Sequence, residues 1–299
     1  MNTKRRAVLF AILAAALYAL SSPLSKLLLQ DVSPTMMASF LYLGAGIGML
    51  IKRLMQKRMH RESGEMRLTK IDLPYTVGMV ALDIAAPVFL MLGLKRSSSA
   101  NVSLLNNFEI VATSVIALLL FNEKISKRLW GAIGLITLAS TLLSVEDAGS
   151  FQFSVGSVYV ILACICWGLE NNCTRMLSQS DPVQIVIIKG FGSGLGSLIV
   201  ALIVGEQLPS VTRLMLVLIL GFVAYGLSVY FYVYAQRSLG AAKTSAYYAI
   251  APFIGALLSL AIFRQIPSAL FFIALVIMIV GTWLINKDHL EDMELTSGL

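Results

Sequence analysis

Ten apolar runs, most of them about twenty residues long, leave this chain few ways to fold. They cover residues 7–29, 35–55, 73–94, 99–121, 128–145, 155–176, 183–205, 214–235, 242–263 and 267–285. A helix of ~20 apolar residues matches the ~30 Å hydrocarbon core of a bilayer. Inside lipid, a helix also satisfies its own backbone hydrogen bonds, which loops and open sheet edges do not. The charged residues are bunched between the runs, and at 13% of 299 residues they are too few to coat a soluble protein. The expected fold is an all-α integral membrane protein with ten transmembrane helices.

The halves of the chain echo each other. The polar stretch from Glu146 to Ser150 falls between the fifth and sixth runs, giving five-helix units at 1–146 and 150–287 and a short tail at 288–299. Shifted by 149, Leu13, Ala14, Leu20, Leu28 and Gln30 match Leu162, Ala163, Leu169, Leu177 and Gln179. Shifted by 148, Pro34 meets Pro182, and Gly44, Gly46 and Gly48 meet Gly192, Gly194 and Gly196. Shifted by 142, Ala100, Ser103, Phe121, Ser126 and Leu142 meet Ala242, Ser245, Phe263, Ser268 and Leu284. Composition alone produces single identities in apolar sequence. A glycine triplet placed ten residues after a proline, twice, is much harder to obtain by chance.

Basic residues orient the chain, because Lys and Arg collect on the cytoplasmic side. With the N-terminus inside, seventeen of the 23 Lys and Arg lie on the inner side, and Lys26, Lys95, Arg96, Arg213 and Arg264 lie outside. Both termini are expected in the cytoplasm, in the plasma (inner) membrane. Five helices per unit then force the second unit to enter the membrane upside down. The loops after helices 2 and 4 are rich in Lys and Arg, whereas their counterparts after helices 7 and 9 carry Arg213 and Arg264. Two inverted five-helix repeats place a binding site near the midplane between them. Lys4, Arg5 and Arg6 before an apolar stretch look like a signal peptide, but the recurrence of that stretch later in the chain argues that it is retained.

Four ionisable residues lie well inside apolar runs: Asp83, Glu109, Glu170 and Lys189. Such groups face a partner or a polar cavity, since an isolated charge in lipid is expensive. At about 1.5 Å per residue, Glu170 and Lys189 both sit roughly 10 Å from the same membrane face on consecutive antiparallel helices. They form either a buried ion pair or one wall of a binding site. Their repeat partners, with those of Asp83 and Glu109, are Ser21, Leu41, Tyr225 and Ala251, all uncharged. Glu109 beside Asn106 and Asn107 can attract a cation or accept a proton. Asp83 precedes Pro87, where the helix frees a carbonyl. Asn171 and Asn172 extend the polar face at Glu170, and Tyr18, Trp167, Tyr247 and Tyr248 are candidates to line a cavity and meet a cation. The paired glycines read as close helix packing or as a smooth surface for motion. Both readings stay open.

No enzyme constellation stands out. The two His residues lie outside the apolar runs, there is no nucleophile elbow, and there is no Walker loop for ATP. Cys164, Cys166 and Cys173 share one run with no His nearby, which argues against both disulfides and a metal site. No cofactor is expected, and no basic–aromatic stretch suggests a nucleic-acid partner.

The order of these features resembles the EamA-type permeases of the drug/metabolite transporter superfamily. The carrying stretches are Ala14–Lys26 and Ala163–Arg175, Ser33-Pro34 and Asp181-Pro182, Leu94–Ala100 echoed by Gln236–Ala242, and Phe121–Ser126. The chain departs from the family pattern at Leu41, Tyr18 and Gln265. The resemblance implies a secondary transporter working by alternating access, often in export, whose partners are a small-molecule substrate and the lipid bilayer. Three acids against one Lys favour a cationic or zwitterionic metabolite such as an amino acid or amine, with Glu109 available for proton coupling. The candidate site is thus Glu109, Glu170, Lys189, Asn106, Asn107, Asn171, Asp83, Tyr18, Trp167 and Tyr248, in a monomer or homodimer. The rival reading, a non-transporting receptor or assembly subunit, needs a sizeable soluble element, and the longest loop is only the basic stretch around 52–72.

Overall fold

The computed structural model describes residues 3–58, 66, 68–121, 126–147, 152–177, 180–239 and 247–297. In the first half, α1 (Thr3–Ala19) and α2 (Ser21–Leu28) follow one another across a break at Leu20. Next come α3 (Pro34–Arg58) and α4 (Leu73–Arg96). A short α5 (Ser99–Leu105), a turn at Asn106 and Asn107, and α6 (Phe108–Phe121) make the next segment, and α7 (Lys127–Ser144) ends the half. The second half holds α8 (Val155–Leu177) and α9 (Pro182–Ile203). After them α10 (Val211–Gly221) runs through a π-helical turn at Phe222–Leu227 into α11 (Ser228–Leu239). Two further helices, α12 (Ala251–Phe263) and α13 (Ala269–Ser297), complete the chain.

Local chemistry sets these ends. Asp181 caps α9 by accepting from Val183 N at 2.9 Å, with Pro182 in the first turn, where a missing N–H costs nothing. Ser98 caps α5 by accepting from Asn101 N. Past α9, Gly205 takes φ +79°, and Glu206 N closes back on Ala201 O at 2.9 Å. That left-handed turn suits glycine, which has no Cβ to clash. The carboxylate of Glu206 then accepts from Thr35 N and Met36 N, so the end of α9 caps the start of α3.

Among the described residues, seven helical segments are long and apolar enough to cross a membrane: Arg5–Leu28, Pro34–Arg58, Lys70–Arg96, Ser99–Leu120, Val155–Leu177, Pro182–Ile203 and Val211–Ala235. Ala251–Phe263 and Ala269–Leu284 are shorter apolar helices. The surface is inverted relative to a water-soluble fold. Ile199, Leu257 and Val276 face outward, while Ser39, Ser193, Ser197, Asp83 and Asn107 are buried. An apolar exterior over a core that holds the polar groups is what lipid requires of a multi-pass protein.

Helix packing follows one rule. The principal pairs are α4 with α8, α3 with α9, α7 with α13, α1 with α11, α6 with α8, α3 with α10, α4 with α9, α1 with α12 and α5 with α12, together with α3 on α4 and the weaker α9 on α11. Exchange α1–α2 with α8, α3 with α9, α4 with α10–α11, α5–α6 with α12, and α7 with α13. Each of these pairs then maps onto another of them or onto itself.

The glycine triplets sit in these contacts and support the packing reading. A Cβ on Gly44 would strike the backbone of Leu218, and one on Gly48 the ring of Phe222. In the other half, Gly192 faces Val80 and Gly196 faces Ile84. Where α3 crosses α9, Gly46 lies against Gly190, and Gly194 against Leu43.

Two expectations change. The link between the halves is not wholly helical or coil, because Val145–Asp147 (β1) pairs antiparallel with Gln152–Phe153 (β2). These two short extended segments satisfy each other's backbone groups, and that ribbon qualifies the all-α description. At the expected tail, 288–299, α13 runs on without a break to Ser297, since no Pro or Gly lies between Thr282 and Ser297. Residues 240–246 at the expected start of the ninth helix, and Glu123, lie outside the described residues.

These contacts yield a stability test. Gly190→Ala pushes a methyl into the backbone of Gly46, and overpacking of this kind is expected to cost about 1–3 kcal/mol. Gly134→Ala meets nothing within 4 Å and is expected to be neutral or to stabilise by up to ~1 kcal/mol. Thermal unfolding of the detergent-purified variants measures the difference.

Candidate functional site

The four buried ionisable residues come together around α8. The ammonium of Lys189, on α9, lies 3.0 Å from Glu170 Oε1 and 3.2 Å from Asp83 Oδ2, on α8 and α4. The ion pair expected from sequence forms, and Asp83 joins it as a third member. Asp83 is fully buried and Glu170 is 1% exposed. Pro87 gives α4 no N–H to close on the Asp83 carbonyl, so the helix is loosened at the acid. Each carboxylate is also held by a hydroxyl. Tyr42 donates to Asp83 Oδ1 at 2.9 Å, and Thr174, one turn beyond Glu170, donates to Glu170 Oε1. Desolvating each ion costs several kcal/mol, so the group persists only because the charges meet at short range and their remaining lone pairs find donors.

Glu109 makes a second cluster on the other side of α8. It sits in the first turn of α6, just past the turn at Asn106 and Asn107. Asn171 Nδ2 donates to Glu109 Oε1 at 2.7 Å and lies 3.3 Å from Thr113 Oγ1. Asn172 Nδ2 donates to the carbonyls of Thr113 and Gly168. Because Glu170 and Asn171 are neighbours in sequence, one turn of α8 serves both clusters.

A tyrosine cluster forms the third part. Tyr18 packs edge-on to Tyr225 at 5.9 Å between ring centroids and lies 5.8 Å from Tyr248, which meets Tyr232 at 5.0 Å. Tyr42 lies 5.3 Å from Tyr225, so the residue that holds Asp83 also touches this cluster. Ser21 donates to the Tyr225 hydroxyl at 3.1 Å, and Ser228 lies 3.4 Å from that of Tyr248. Tyr225 and Ser21 are the repeat partners of Asp83 and Glu170. Where Asp83 and Glu170, one from each half, are bridged by Lys189, the exchanged positions Tyr225 and Ser21 hold a neutral hydrogen bond, and Leu41 stands in place of the lysine.

Other candidates stand apart from the charges. Asn107 turns to the Leu104 carbonyl and to Met278 Sδ on α13, so it braces the packing of the last helix. Asn106 is buried, and its carbonyl accepts weakly from Cys164 Sγ. Trp167 is buried in the main apolar core, and Tyr247 is 38% exposed, outside the tyrosine cluster. Sequence reasoning passed over Tyr42 and Thr174, which donate to the acids, and Thr113, which accepts from the amide that holds Glu109. Spacing offered a signal for two of them, since Thr113 and Thr174 each follow an acid by four residues, one helical turn. Among the described residues no cluster of His, Cys, Asp or Glu could hold a metal.

A polytopic helical bundle with an ionic cluster buried among its helices defines the class as a membrane protein with a polar interior. More particularly, the chain belongs to the EamA-like transporter family, whose description matches residues 5–145 and again 154–287. It is 25% identical over 291 residues to an uncharacterized transporter of Methanothermobacter thermautotrophicus, covering 92% of this chain and 84% of that one. A solved crystal structure superposes with a TM-score of 0.67 at 17% identity, over 93% of this chain and 94% of the other, which establishes a shared fold.

Charge removal tests the trio as a unit. Lys189→Leu leaves two buried carboxylates facing each other, and losing one partner of a buried pair is expected to cost on the order of 3–5 kcal/mol. Adding Asp83→Asn and Glu170→Gln is expected to recover most of that loss. Equilibrium unfolding in mixed detergents measures it, and a triple variant no more stable than the single one would show that the three do not act together.

Proposed function

We propose that the chain is a secondary transporter that moves a small cationic or zwitterionic metabolite, of the size of an amino acid or amine, across the plasma membrane by alternating access. The observation that carries this reading is the surplus of acid in the interior: Asp83 and Glu170 share one lysine, and Glu109 stands on the other side of α8, held by Asn171. Such a site attracts positive charge, and the substrate's ammonium competes with Lys189 for the same carboxylates. The helices are interrupted at Leu20, at Asn106 and Asn107 and at the π-helical turn, and discontinuous helices form the binding sites of many other transporters.

The ten-span arrangement of two inverted repeats belongs to the same proposal. Its support is the double family match, the helix pairing that maps onto itself when the halves are exchanged, and the excess of Lys and Arg on one side. Both termini are then cytoplasmic. A single cysteine placed at either end is expected to react with a membrane-impermeant maleimide only after cells are opened, and reaction of either end in intact cells would reject the topology.

Glu109 is proposed as the proton carrier, because it is held by the amide of Asn171 and no lysine among the described residues is paired with it. Export is proposed on the family resemblance alone. Thermal stabilisation of purified protein by amino acids and amines selects a substrate, whose flux is then measured in proteoliposomes with an imposed pH gradient. The gradient is expected to drive flux in the native chain and to lose its effect in Glu109→Gln. Flux indifferent to pH and equal in both proteins would remove Glu109 from the mechanism.

A further inference from the structure

A cleft of about 340 Å³ opens at the end of the molecule remote from the charged trio. It lies where α4 ends, α5 and α8 begin and α12 finishes, and its lining is dominated by hydroxyls, among them Ser98, Ser99, Ser157 and Ser259, with Arg96 and Asn101 beside them. Ser157 is fully buried, and its Oγ has no hydrogen-bond partner. A buried hydroxyl in that condition costs about 1–3 kcal/mol, so it marks a place where a ligand atom gains by arriving. Among the described residues lining the cleft there is no Asp or Glu. Arg96 supplies the positive charge. It rests over the Tyr159 ring, with 5.3 Å from guanidinium carbon to centroid, and donates one N–H to the Leu92 carbonyl at 3.4 Å. A guanidinium has five N–H donors in a fixed fork, so most remain for a ligand, and the fork suits a carboxylate. Close by, the Lys26 ammonium is bound to the carbonyls of Leu94, Lys95 and Ser97 and adds to the positive field.

We infer that this cleft is a binding site for the carboxylate of a small hydrogen-bonding solute, with Arg96 taking the charge and the serine hydroxyls, Ser157 first among them, taking the remaining oxygens. The site stands on the cleft alone. Its place on a transport route rests on the transporter reading and narrows the substrate to a zwitterion: the ammonium is read at the acids and the carboxylate here. Thirteen residues separate Ser157 from Glu170 on α8, and Asp83 from Arg96 on α4, about 20 Å along either axis. A molecule the size of an amino acid cannot span that distance, so the two sites are successive stations. Ser259 Oγ donates to Ser99 Oγ at 2.9 Å beneath the cleft, joining α5 to α12 across the junction of the halves.

The test uses full-length protein in lipid nanodiscs, with Cys164, Cys166 and Cys173 replaced by Ala and Asn101→Cys as reporter. Labelling rates are measured for an anionic (sulfonatoethyl) and a cationic (trimethylammonioethyl) methanethiosulfonate, each normalised to its rate with free cysteine. The anionic reagent is expected to be favoured at least about tenfold, in the range of electrostatic steering. Arg96→Gln is expected to abolish the preference and Arg96→Lys to retain part of it. Acetate and glycine at millimolar concentration are expected to slow labelling at least about twofold, with methylamine inert, as a site reading carboxylate geometry requires. Equal normalised rates, a preference untouched by Arg96→Gln, or no protection by acetate would overturn the site. No arm measures transport, so a failed flux assay with intact labelling would reject the transporter reading and leave the cleft standing.

Discussion

An ammonium ion held among apolar helices has to be answered by something, and here Lys189 is answered by two acids on two other helices. That requirement organises the interior. For Lys189 to reach Asp83 and Glu170 together, α9 must approach α4, which itself packs on α8, and small residues permit it: Gly192 faces Val80, and Gly196 faces Ile84. The residue next to the lysine, Gly190, lies so close to α3 that a Cβ there would meet both the Gly46 backbone and the Tyr42 carbonyl. The same contact brings Tyr42 to Asp83, where its hydroxyl donates. Glycine packing and charge pairing are therefore two aspects of one crossing. The ionic chemistry sits where the helices are able to come nearest.

The halves share packing but differ in chemistry. Exchanging them carries α4 on α8 into α10–α11 on α1, yet the polar positions along those interfaces carry different groups. Asp83 and Glu170 correspond to Tyr225 and Ser21, which meet each other directly. A second copy of the ionic trio would add two more desolvated carboxylates to the same interior, at several kcal/mol per ion. A tyrosine and a serine satisfy each other without that penalty and present an aromatic wall instead. Tyr42 touches both sides, with its hydroxyl on the acid and its ring on Tyr225. One continuous polar region thus has a charged end and an aromatic end.

Much of this was legible in the letters, and the illegible part has one physical cause. The apolar runs, the duplicated halves, the glycine crossings and the Lys189–Glu170 pair all follow from run length and register. What the runs do not encode is rotation. In a water-soluble helix, polar residues mark the outer face; in lipid both faces are apolar, so the pattern does not say which way a helix turns. Asp83 therefore gave no sign that it would face Lys189, and Asn107 gave none that it would turn to Met278. The π-helical turn at Tyr225 was hidden for a related reason. No Pro announces it, although Gly221 and Gly226 lie near its two ends, whereas Pro87 announces the loosening at Asp83 in the equivalent helix.

The junction between the halves is held by unlike forces at different depths. Around Lys189 the contacts are ionic and desolvated, where a single pair at this range is worth on the order of 4 kcal/mol even with generous screening. Some 20 Å along α8, under the cleft, the corresponding contact is the neutral hydrogen bond from Ser259 to Ser99, of a kind worth about 0.5–1.5 kcal/mol. The helix pairing maps onto itself under exchange of the halves, but the energy does not. Any rearrangement that parts them meets strong resistance at one depth and weak resistance at the other. The difference is written in a handful of positions, above all in the lysine that one half carries where the other has Leu41.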